Sequence, residues 1–140
     1  MEFFETFFAR HKEQLARLLD AGGCREGWIQ GQMFLDAPPR FLKTNATKRN
    51  YDLYSEAPLA IGEIKICGGD YQPKMQGRIE KDVKKLRQSE ATEKYMILIV
   101  DTRVKATRLG KWLASCDFAR EEYREFEGRD FKVRVWKITA

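Results

Sequence analysis

Two apolar stretches, PLAIGEIKI (residues 58–66) and KYMILIVD (residues 94–101), bracket one helical pattern, and no other feature restricts the fold as much. KYMILIVD is apolar almost throughout, which suits a strand covered on both faces inside a sheet. PLAIGEIKI begins the same way, with Ala60, Gly62, Ile64 and Ile66 on one side and Leu59 and Ile61 on the other. Between them, over residues 74–90, Ile79, Val83 and Leu86 recur at helical spacing, with Lys81, Lys84, Lys85 and Arg87 around them. Strand, helix and strand in that order permit a parallel crossover, so the expectation is an α/β fold with helices packed on a mixed sheet.

The flanking segments extend this pattern. Phe4, Phe7, Phe8, His11, Leu15, Leu18 and Leu19 predict a helix over residues 2–20, closed by the glycines of AGG. WIQGQMFLD (residues 28–36) reads as a first strand, stopped by APPR. The basic loop FLKTNATKR follows, then NYDLYS as a second strand, with Pro58 marking the turn into the third. CGGDYQP closes that unit as a loop. Leu109, Trp112, Leu113, Cys116, Ala119, Tyr123 and Phe126 predict a last helix over residues 104–126. An alternating strand ends the chain, with Phe131, Val133 and Val135 inward and Lys132, Arg134 and Trp136 outward. Outward Trp136 is expected to cover a helix or a dimer partner, with base stacking as the alternative. Residues 1–140 read as a single domain.

Composition narrows the class. Hydrophobic residues at 43% and charged residues at 34% describe a globular chain rather than a disordered one. The longest apolar run, YMILIV, is far below a membrane span, so no membrane partner is expected. Glu2 and Glu5 stand where a secretion signal would carry positive charge, which points to a cytoplasmic protein. Three cysteines without a CxxC pair read as reduced thiols, and a lone histidine, His11, leaves paired-histidine and His-rich metal chemistries without partners. On the apolar stripe of its helix, His11 is expected to be a stacked, core-edge residue.

Against this background Glu63 and Lys65 are out of place. They sit two residues apart on the Leu59/Ile61 side of a strand that should be buried. A tight turn near Ala57 and Pro58 would bring Asp52 opposite or diagonal to Glu63. Two carboxylates held that close repel, and either one takes up a proton or a hard cation such as Mg²⁺ (or Mn²⁺) neutralises them. Lys65 beside such a site could orient or help deprotonate a water, and its charge would steady a pentavalent phosphate. The plainer reading makes Glu63 and Lys65 a strand-end ion pair and Asp52 a surface acid.

The element order, with Asp52 in YDLYS, Glu63 and Lys65 in IGEIKI, the helix RIEKDVKKL and the strand KYMILIVD, resembles the PD-(D/E)xK, or restriction-endonuclease-like, nuclease superfamily. The resemblance covers about residues 2–101. It implies an α-β-β-β-α-β core, here with an additional C-terminal helix and strand. It also implies Asp52, Glu63 and the Ile64 carbonyl as metal ligands and Lys65 as the catalytic lysine. Tyr51 stands where the family's proline would be, and the glutamine-x-x-x-tyrosine motif of the RecB-like branch is missing. Members often add a glutamate from the first helix, for which Glu5 and Glu13 are candidates.

The expected activity is hydrolysis of phosphodiester bonds in nucleic acid, DNA ahead of RNA. Arg49, Arg78, Lys81, Lys84 and Lys85 are the candidate phosphate contacts. The net charge of +5 favours such a partner modestly, and basic runs at residues 40–49 and 102–111 carry no acid. One site cuts one strand, so double-strand cleavage would call for a homodimer. The competing reading is a catalytically inactive module of the same fold acting in nucleic-acid binding or assembly. A toxin, immunity or anti-restriction protein is the third.

Overall fold

The structure is a computed structural model that describes residues 1–22, 26–36, 42–43, 51–56, 59–67, 74–103 and 107–139, without the side chains of residues 42, 43, 56, 107 and 108. The three- and four-residue recurrence of phenylalanine and leucine forms α1 (Glu2–Arg10) and α2 (Lys12–Asp20). They meet at His11, where the backbone leaves helical geometry (φ −101°, ψ 16°). Hydrogen bonding nevertheless continues through the joint, from His11 N–H to the Phe7 carbonyl and from Leu15 N–H to the His11 carbonyl. Gly22, with φ +70°, ends α2 in the left-handed conformation that glycine adopts without strain. His11 stacks on Phe7 at 4.7 Å and lies 2.6 Å from Asp36, so it is the core-edge residue its position predicts.

WIQGQMFLD is not a strand. It forms helix α3 (Glu26–Asp36), whose fully buried residues, Ile29 and Met33, lie one turn apart. The first strand is instead β1 (Leu42–Lys43), within the segment expected to be a basic loop. It opens an antiparallel meander with β2 (Leu53–Glu56) and β3 (Leu59–Cys67). Helix α4 (Lys74–Gln88) then crosses over to β4 (Glu93–Asp101), which pairs with β3 in parallel. That crossover is as expected.

The C-terminal segment departs from expectation again. Helix α5 (Thr107–Ser115) is short and is followed by a turn of 3₁₀ helix (Asp117–Arg120). Tyr123 and Phe126, expected on the helix, lie on strand β5 (Tyr123–Gly128), which forms a hairpin with β6 (Phe131–Lys137). Cross-strand ion pairs Arg134–Glu125 (2.8 Å) and Lys132–Glu127 (3.4 Å) favour the hairpin. Gly128 is required at its end, because a Cβ there would fall 2.0 Å from the Phe131 ring.

Among the described residues the sheet has six strands in the order β1-β2-β3-β4-β6-β5. Its two faces bury separate clusters. Phe4, Phe7, Phe8 and Leu15 pack with Leu53, Ile64, Ile97 and Val133 on one face. Ile79, Val83, Leu86, Leu109 and Phe118 pack with Ile61, Met96, Leu98 and Trp136 on the other. Trp136 is completely buried under Phe118, with ring centroids 5.2 Å apart, so it covers the 3₁₀ turn and presents no face to a base. No helix among the described residues is long and apolar enough to cross a membrane. Cys67 and Cys116 are free thiols, and burial pushes Cys67 up to about 11, which makes it a poor nucleophile. Cys24 lies outside the described residues.

Candidate functional site

The alternation of β3 sends Ile64 into the cluster under α1–α3, and so turns Glu63 and Lys65 toward α4. The β2–β3 register pairs Leu53 with Gly62, which brings Asp52, the preceding residue, opposite Glu63. Because the β2 ladder ends at Leu53, the Ile64 N–H has no strand partner on that side and donates to Asp52 Oδ2 at 2.8 Å. N–H and C=O of one strand residue point to the same side, so the Ile64 carbonyl faces Asp52's side of β3 as well. Gln30 of α3 donates from Nε2 to the Asp52 carbonyl at 2.8 Å. Asp52 is thus held at its side chain by β3 and at its main chain by α3. Gln32 turns instead to Asp36, at 3.0 Å.

Helix α4 completes the site with two residues that answer the strand's charges. Lys85 Nζ contacts Glu63 Oε1, and Lys65 Nζ lies 2.7 Å from Asp82 Oδ2. The strand offers acid then base, the helix acid then base, and the pairs cross between them. Both are close ammonium–carboxylate contacts to buried carboxyl oxygens. Asp82 did not stand out in the sequence. It lies on the buried stripe of α4 with Ile79, Val83 and Leu86, and a carboxylate at an inward helical position was the available signal.

Three carboxyl groups (Asp52, Glu63, Asp82) face two ammoniums (Lys65, Lys85), so the described cluster is short of one positive charge. Glu63, only 3% exposed, bears the consequence. Burial pushes its carboxyl up to about 8, and neighbouring Asp52 and Asp82 add to the rise, while the Lys85 ammonium opposes it without prevailing. Lys65 moves up for a different balance. Burial pulls it down, but the Asp82 carboxylate beside it, with Asp52 and Glu63, outweighs that and keeps it an ammonium.

The raised Glu63 value sets a pH dependence. Between its unfolded value near 4.5 and about 8, the folded chain holds a proton that the unfolded chain has released, so stability falls as pH rises through that window. Wild type is expected to lose roughly 2–4 kcal/mol relative to Glu63→Gln between those limits. Paired urea titrations from pH 4.5 to 8.5 measure this, and a difference that stays flat or moves the other way would contradict the assigned protonation.

The remaining expected site residues are dispersed. Arg78, Lys81 and Lys84 are exposed on α4, whereas Lys85 is engaged by Glu63 and is not a free surface cation. Arg49 lies outside the described residues. Glu5 reaches Arg124 on β5 at 3.5 Å, and Glu13 reaches Arg129 in the hairpin turn at 3.6 Å. Both therefore sit by the sheet edge opposite Asp52, so neither first-helix glutamate joins the site. In the second basic run, Arg103 is bound by Asp101 (2.7 Å) and Asp20 (2.5 Å).

No three His, Cys, Asp or Glu side chains among the described residues converge as a metal-binding group. The donors at hand are two carboxyls in mutual contact and a backbone carbonyl, all hard oxygens. With water making up the remainder, that set fits Mg²⁺ or Mn²⁺, and the missing positive charge fits it too. Comparison of the chain with known protein families, with curated proteins and with solved structures finds no match to any of them.

Proposed function

We propose that the protein is a metal-dependent nuclease of the restriction-endonuclease-like kind, hydrolysing phosphodiester bonds in nucleic acid, DNA ahead of RNA. The observation that carries this reading is the close acid pair, Asp52 and Glu63, fixed at the end of β2 with Lys65 two residues along the same face. The order α-β-β-β-α-β, with β1 taking the place of the expected first strand, is compatible with it.

In this reading Asp52, Glu63 and the Ile64 carbonyl would hold Mg²⁺. The bound ion would supply Lewis acidity and make a water it holds more acidic than bulk water. Lys65, kept protonated by Asp82, orients the attacking water and stabilises charge developing on the phosphate. Gln30 fixes the backbone of Asp52, so the acid does not swing away from Glu63. Arg78, Lys81 and Lys84 lie exposed on the adjoining helix and would hold flanking phosphates.

The second reading, a non-catalytic scaffold, is favoured by one observation: Glu63 and Lys65 each already have an ionic partner on α4. Cleavage of supercoiled plasmid and of labelled DNA and RNA oligonucleotides separates the two. Cutting that requires Mg²⁺ or Mn²⁺, stops with chelator and disappears in Asp52→Asn is the expected result. Nicking without linearisation would indicate a monomer acting on one strand. A folded protein that cuts neither nucleic acid and binds no divalent cation would establish the scaffold instead.

A further inference from the structure

We infer that Lys85 is an internal counter-ion that a divalent cation displaces from Glu63, and that the released ammonium then serves the phosphate of the bound nucleic acid. The inference rests on the nuclease reading, since it takes Asp52 and Glu63 as the cation's ligands.

Lys85 Nζ lies against Oε1 of Glu63, one of the two oxygens of a carboxyl that would ligate the ion. An ammonium and a dication held at one carboxyl repel each other, which weakens the Lys85 contact. The charge count gives the direction. With all three carboxyls ionised, as metal ligation requires of Glu63, the sum of Asp52, Glu63 and Asp82 against Lys65 and Lys85 is one negative charge, and a dication brings the cluster to one positive charge. That excess favours outward movement of one ammonium. Lys65 is the more enclosed, with its side chain 20% exposed and Asp82 behind it, while the Lys85 side chain is 31% exposed. The Lys85 ammonium already lies 5.2 Å from the centre of the half-buried Tyr51 ring, a cation–π contact that does not depend on Glu63. From there a four-carbon side chain can reach a phosphate oxygen as a point charge.

This gives α4 two different tasks at positions three residues apart. Asp82 holds Lys65 in place throughout, and Lys85 exchanges. In the sequence Lys85 looks like one more lysine of a basic helix face, next to Lys81 and Lys84. Its contact with a buried acid is what separates it from them.

The test reads the lysine itself. Wild-type protein is treated with a trace amine-acylating reagent at one fixed pH, with and without saturating Mg²⁺, and labelling of each lysine is followed by peptide mass spectrometry. Calorimetry on the same sample establishes saturation. Labelling of Lys85 is expected to rise several-fold with Mg²⁺, while exposed Lys81 stays constant and Lys65 stays protected. In Glu63→Gln, Lys85 should label rapidly without Mg²⁺ and show no further change on its addition. Mg²⁺ binding by calorimetry with unchanged Lys85 labelling would overturn the exchange and leave the nuclease reading intact. Absence of Mg²⁺ binding would overturn both.

Discussion

Replacing Lys65 with alanine is expected to slow metal-dependent cleavage by roughly 10²–10³-fold, the usual loss when one preorganised charge facing a transition state is removed. The loss should fall on kcat, with KM little changed, because Lys65 acts on charge that develops during the reaction. The same substitution strips buried Asp82 of its ammonium, so part of any lost activity could reflect a damaged fold. Lys65→Gln serves as the second variant: it fills the same space and can donate a hydrogen bond to Asp82, yet carries no charge. Equal thermal stability with the same loss of kcat would assign the effect to the ammonium. Full activity in a folded Lys65→Gln protein would remove Lys65 from the mechanism.

Much of the site was legible because a strand's period of two leaves little freedom. Once Ile64 and Ile66 are placed on one side, Glu63 and Lys65 must share the other, and the structure keeps that division. The register Leu53↔Gly62 brings Asp52 to Glu63, while the expected turn residues, Ala57 and Pro58, lie outside the described residues. Partners supplied by helices were harder to see. Asp82 and Lys85 meet β3 through the pitch and placement of α4, which local spacing does not specify.

The two misread elements fail for opposite reasons. In α3 the glycines Gly27 and Gly31 weaken the helical signal, and Phe34 and Leu35 remain exposed although apolar, so no clean stripe survives. In β5 the run YREFE is rich in helix-favouring glutamate and arginine, and Tyr123 and Phe126 are spaced three apart. Pairing with β6 overrides that preference through cross-strand ion pairs and a turn with Asp130 at φ 66°.

Trp136→Ala is expected to produce the largest loss of stability among single substitutions, about 3–5 kcal/mol. The side chain is completely buried between β6 and the 3₁₀ turn, against Phe118 at 5.2 Å and Tyr123 at 6.3 Å. Its removal leaves a cavity that a rigid sheet cannot close. Trp136→Phe should cost much less, under about 1.5 kcal/mol, because the indole N–H has no hydrogen-bond partner among the described residues to lose. Equilibrium denaturation of both variants checks the pair of values. If Trp136→Ala cost less than about 1 kcal/mol, the residue would not belong to the core.

The position of β6 also governs how the chain can be made. It is synthesised after the other five described strands, yet it lies between β4 and β5 and contributes Val133 and Val135 to one layer and Trp136 to the other. Until it emerges from the ribosome, the far edge of β4 is bare and both layers remain open along one side. The polypeptide must therefore wait, partly collapsed, with aromatic and branched side chains uncovered, and close in a late non-local step. Nascent chains that stall before residue 131 should be strong clients of holding chaperones, and release of the last strand should set the moment at which the two layers seal together.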